Sequence, residues 1–92
     1  MPTKQWFFYV LSCSDQSMYA GVTTDVDKRV SLHNEGKGSK YVRSRLPARL
    51  FYMRPMPSKS KAFSFEKRFK ALTREQKLKK LCEMVDEDLG FL

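Results

Sequence analysis

The apolar positions of the chain fall into two alternating rhythms, and each rhythm predicts a kind of element. Residues 6–13, "WFFYVLSC", are aromatic, β-branched and almost continuously apolar, which predicts a strand covered on both faces. "SDQS" is a turn and "MYAGVT" a second strand, so the pair is expected to form an antiparallel hairpin. "TDVDKRVSLHNEGKG" then starts as a helix, with Thr24 as N-cap and Asp27 as its reciprocal capping partner, and ends at Gly36 and Gly38. "KGSKYVRSRLP" is a polar, basic connection. "ARLFYM" is a third strand, closed by Pro55 and Pro57. Ser58 or Ser60 caps the next helix, which breaks at Leu72. "TREQ", with Thr73 as cap and Gln76 three residues on, starts another helix that runs to about Val85. The predicted order is β-β-α-β-α-α: a small three-stranded antiparallel sheet with packed helices, in the α+β class.

One residue breaks the pattern. At about 100° per residue, Ala62, Phe65, Phe69 and Leu72 share one helical stripe, and Glu66 falls inside its apolar arc beside Ala62. An ion pair with a lysine is the plain explanation of a carboxylate there. On the first helix, Arg29 and His33 stand four apart beside the stripe of Val26 and Val30. Two helices thus each turn ionisable groups toward the sheet side. On the strands, Gly21 is two residues from Tyr19 and shares its face, which points to a tyrosine hydroxyl beside a cleared floor. Tyr9 and Tyr19 face one way only if an odd number of loop residues separates their paired strands.

Charge narrows the partner. The chain has 92 residues, a size expected to form one domain, and carries 18 Lys and Arg against 10 Asp and Glu. Residues 36–80 hold fifteen basic and two acidic side chains, whereas residues 83–92 form an acidic tail with four acids and no base. A basic middle of this kind implies a polyanionic partner, nucleic acid before others. Cys13 and Cys82 stand far apart with no CxxC, so the expectation is buried free thiols in a cytoplasmic protein rather than a zinc site or a disulfide framework. The apolar run "WFFYVL" is too short for a membrane span.

"FFYVL", "MYAGVTTDVDKRVSLHN", "GKGSKYVRSRLP" and "AFSFEKRFKALTREQK", in that order, resemble the GIY-YIG nuclease domain, and more narrowly the small stand-alone bacterial GIY-YIG proteins of uncharacterised function. The resemblance covers residues 6–82. It implies a metal-dependent DNA endonuclease, with selectivity for nicked, branched or distorted DNA and a part in repair or recombination as the further expectation. Tyr9 and Tyr19 stand in its two tyrosine motifs, and the resemblance makes Tyr19 the general base or water-orienting phenol. Arg29 becomes the phosphate-binding arginine, His33 an assistant in proton transfer or positioning, and Glu66 the ligand of a single divalent ion, Mg²⁺ or Mn²⁺. Gly21 is then structural at the site.

The departures are specific. Phe7 replaces the first motif's glycine, Asn34 is the chain's only asparagine and lies too early to be the family's late one, and 92 residues leave no room for a separate DNA-binding module. The loop residues Lys37, Lys40, Tyr41, Arg43 and Arg45, with Lys67, Lys70 and Arg74, supply a basic track with an aromatic for phosphate contact and stacking. The expected partner is DNA, with RNA as the other polymer and a protein partner left open. A non-catalytic nucleic-acid-binding accessory module is the alternative: it needs the track but not Glu66.

Overall fold

The computed structural model describes residues 4–88, so residues 89–92 of the acidic tail lie outside the described residues. Strands β1 (Trp6–Ser12), β2 (Met18–Thr23) and β3 (Arg49–Met56) form one antiparallel sheet in the order β2-β1-β3. The apolar run is the central strand. Its side chains alternate between two cores, and this is why it is hydrophobic on both faces. Phe8 and Val10 pack with Ala20, Tyr52, Phe69, Leu81 and Met84 on one face, while Tyr9 and Leu11 pack with Cys13, Val42 and Ala48 on the other.

Helices α3 (Lys59–Lys70) and α4 (Arg74–Asp88) supply the first core; α1 (Val26–Asn34) and α2 (Lys40–Arg43) cover the second. Phe8 is the anchor of the first. It is fully buried, and its ring meets Phe65 at 4.8 Å and Phe69 at 5.1 Å, both edge-on. Edge-to-face pairs of this kind add to the burial of apolar area.

Several boundaries differ from expectation, each for a local reason. The cap of α1 is Asp25, not Thr24: its carboxylate accepts from the Lys28 amide at 3.1 Å, while the Thr23 hydroxyl accepts from the Asp25 amide. Asp25 stands one residue later, and its carboxylate reaches the amide three residues on, as an N-cap does. The connection between α1 and β3 contains a helical turn, α2, capped by the Ser39 hydroxyl, which accepts from the amides of Tyr41 and Val42. Strand β3 runs through Pro55 to Met56, which an edge strand tolerates because its outer row of amides has no ladder partner to lose. Ser58 caps α3, and the Thr73–Gln76 box starts α4 with reciprocal bonds of 2.9 and 3.2 Å. Cys13 is buried but Cys82 is exposed on α4; both are free. Asn34 clamps the end of α1 to the start of β3 with two bonds to Ala48, at 2.9 and 2.8 Å. Among the described residues no helix is long and apolar enough to cross a membrane.

Candidate active site

The hairpin register decides which side chains meet. Tyr9 pairs with Gly21 and Leu11 with Tyr19, so Tyr9, Tyr19 and Gly21 occupy one face of the sheet. Residues 13–17, an odd number, separate the paired ends Ser12 and Met18. That face is the one α1 covers.

Gly21 clears space for Tyr9, its cross-strand partner, rather than for Tyr19. A Cβ on Gly21 would lie 2.5 Å from the Tyr9 hydroxyl oxygen and 2.7 Å from the carbon that bears it. We therefore expect Gly21→Ala to cost about 1–3 kcal/mol by overpacking and to drive the Tyr9 ring off its partner. Urea denaturation checks the first effect, and loss of DNA cleavage by a still-folded variant checks the second.

That partner is His33, which α1 points into the sheet. Its imidazole is 2% exposed, and its Nε2 lies 3.2 Å from the Tyr9 hydroxyl. Its Nδ1 accepts from the Ser39 amide at 3.4 Å. The Tyr19 ring meets the imidazole edge-on at 5.3 Å and lies 6.1 Å from Tyr41 at a shallow angle of 27°. Gly38 follows the end of α1. It lets the chain pass against His33, since a Cβ there would run into Nδ1. The sequence held no local sign of that contact.

Arg29 lies one turn before His33, exposed, and among the described residues it has no ion pair or side-chain hydrogen bond. It is close enough to act on its neighbours. Burial pushes the Tyr9 phenol upward, helped by the Tyr19 phenol and opposed by Arg29, with Glu66 adding a smaller upward push. Burial also holds the His33 imidazole below its ordinary value, and Arg29 adds to that effect. Both groups are therefore neutral near pH 7.

Glu66 comes from α3, which packs on the opposite face of the sheet against β1 and β2. It stands within electrostatic reach of Tyr9. Its side chain is 19% exposed, and its ion-pair partner is Lys70, one helical turn on, at 3.8 Å. The plain explanation of its burial is thus present, yet the pair is long, and the Lys70 ammonium also lies 5.2 Å from the centre of the Tyr19 ring. Among the described residues no group of three or more His, Cys, Asp or Glu exists that could enclose a metal. This excludes an all-protein zinc cage there. A half-buried carboxylate with one loose partner does fit a Mg²⁺-type ion, which takes few protein ligands and completes its shell with water and phosphate oxygens.

The basic residues divide into free and engaged ones. Lys40, Arg43 and Lys67 are exposed, and Lys37 makes only a long surface pair with Glu35. Arg45 is engaged: it pairs with Asp15 at 3.0 Å, donates to the Tyr41 carbonyl, and lays its guanidinium 3.9 Å from the centre of the Tyr41 ring. It supports Tyr41 instead of standing free for phosphate. Arg74 donates to the Gln16 carbonyl at the hairpin turn. Lys77 joins Lys70, Tyr19 and Tyr41 around a cleft of about 320 Å³ floored by Met18, Ala20 and Phe69.

Comparison with known proteins places the chain in a family. Residues 5–80 match the model of the GIY-YIG catalytic domain. A UPF0213 protein of Bacillus velezensis is 51% identical over 77 residues, covering 84% of this chain and 78% of that one. The solution NMR structure of a UPF0213 protein from Bacillus halodurans superposes with a TM-score of 0.57 at 42% identity, over 85% of this chain and 83% of the other. That of a protein from E. faecalis gives 0.64 at 38% identity, over 89% and 88%. The chain belongs to the GIY-YIG nuclease family, among its small UPF0213 members.

Proposed function

We propose that this chain is a metal-dependent DNA endonuclease that hydrolyses phosphodiester bonds in the cytoplasm, preferring nicked, branched or distorted DNA, in the service of repair or recombination. The observation that carries the reading is the convergence of Tyr9, Tyr19 and His33 on one face of the sheet, with Arg29, unpaired among the described residues, and Glu66 both within electrostatic reach of Tyr9.

Hydrolysis concentrates negative charge on the phosphate and the leaving oxygen, so cations must be fixed where it grows. Arg29, which has no ion pair among the described residues, is the cation that α1 places beside the tyrosines. Glu66 would hold the divalent ion, which when bound supplies Lewis acidity to the phosphate oxygens and the leaving group. Tyr19 orients the attacking water. His33 is neutral and buried, so it holds Tyr9 instead of carrying charge. Lys37, Lys40, Arg43, Lys67 and Lys70 guide the flanking phosphates, and Tyr41, backed by Arg45, offers an aromatic face beside them. Neutralising phosphates makes binding strongly salt-dependent.

Supercoiled plasmid incubated with the protein and Mg²⁺ or Mn²⁺ is expected to be nicked, and chelation by EDTA to stop it. Fork, flap and RNA substrates compared in the same assay rank the preference. Salt-sensitive binding with no cleavage of any form would instead identify a non-catalytic binding module.

A further inference from the structure

We infer that the Gly38–Ser39 step locks His33 in the tautomer with its proton on Nε2, so that Tyr9 accepts from His33 and keeps its own proton as a donor at the site, leaving Tyr19 to orient the attacking water. The assignment of Tyr9 and Tyr19 rests on the endonuclease reading. The tautomer stands on geometry alone.

A backbone amide only donates. The Ser39 amide directs its hydrogen at His33 Nδ1 over 3.4 Å, so Nδ1 is the bare nitrogen. In a neutral imidazole the proton then sits on Nε2, and Nε2 faces the Tyr9 hydroxyl at 3.2 Å. His33 is therefore the donor of that bond. Among the described residues the Tyr9 hydroxyl has no other hydrogen-bond partner, so its own proton is committed to none of them. The charged and phenolic groups that act on it are Tyr19, Arg29 and Glu66, which are those placed around the phosphate. A phenol pushed upward by burial keeps that proton at neutral pH, as a donor must.

The lock is built from residues with no chemistry of their own. Gly38 is required because any Cβ would meet the imidazole. Ser39 is held at φ −72°, ψ 146° as its hydroxyl caps α2, and that short helix is pinned by fully buried Val42. Gly38 and Ser39 are positioning residues: they act through His33 on Tyr9.

Two variants separate the amide from the hydroxyl. Ser39→Pro removes the donor N–H, and a φ of −72° already suits proline. Ser39→Ala keeps the amide and loses only the cap. Long-range ¹H–¹⁵N spectra of the ¹⁵N-labelled full chain, above the imidazole range, are expected to show one species protonated on Nε2 in the wild type and in Ser39→Ala. In Ser39→Pro a tautomer mixture is expected, with nicking slower by roughly tenfold, the loss of one hydrogen bond's worth of positioning. A wild-type ring protonated on Nδ1 overturns the inference, as does a folded Ser39→Pro with unchanged tautomer and rate. Should Ser39→Pro not fold, the wild-type ring spectrum alone decides. If no variant cleaves DNA, the endonuclease reading fails while the spectra still decide the tautomer.

Discussion

Glu66→Ala is expected to reduce Mg²⁺- or Mn²⁺-dependent cleavage by at least about 10²-fold, the scale of removing one group that stabilises transition-state charge. The same variant is expected to stay folded and to bind DNA as well as the wild type or better. Its helix position accepts alanine readily, since alanine is the best helix former. The ion pair it loses, with Lys70 at 3.8 Å, belongs to a class worth about 0–1 kcal/mol. Removing a negative charge from a basic surface favours phosphate binding. Cleavage rate and DNA affinity, measured on one preparation, separate the two roles. A variant that cleaves as the wild type does would show that any activity seen is a contaminant or runs without this carboxylate.

Phe8→Ala carries the largest expected cost in stability. The side chain is fully buried, edge-packed on Phe65 and Phe69, and joins the central strand to α3. Truncating a phenylalanine in such a place costs about 3–5 kcal/mol, a large share of the roughly 5–15 kcal/mol typical of a domain. The measurement is the urea midpoint at constant m-value. Tyr9 follows Phe8 on the strand and faces the other way, so loosening this core should also weaken the site behind it. A loss below about 1 kcal/mol would mean that the two aromatic rings collapse into the gap, and that this core is less tightly defined than its packing indicates.

How much of this was legible beforehand depended on how local each signal was. The unbroken apolar run of β1 spoke of burial on both faces, and the two cores that divide Tyr9 from Phe8 are the reason. Thr73 and Gln76 announced the start of α4 because a capping box is complete within four positions. Helix α2 has no periodic signal in the sequence: four residues make no stripe, and the burial of Val42 that stabilises it is a tertiary fact. Ser39 ahead of it was the one available hint. Strand parity could state a condition for Tyr9 and Tyr19 to share a face, but only the register showed that Gly21 accommodates Tyr9. Gly38 and Arg45 depended on contacts across the fold, with His33 in one case and with Asp15 and Tyr41 in the other.

The central claim is that a divalent ion sits at Glu66, in reach of the tyrosines and Arg29, and Mn²⁺ titration observed by NMR tests it most directly. Paramagnetic broadening is expected to begin at Glu66, spread to Tyr19, Tyr9 and Lys70, and vanish in Glu66→Ala. Broadening centred instead on the acidic end of α4, around Glu83, Asp86 and Glu87, and unchanged in Glu66→Ala, would contradict it.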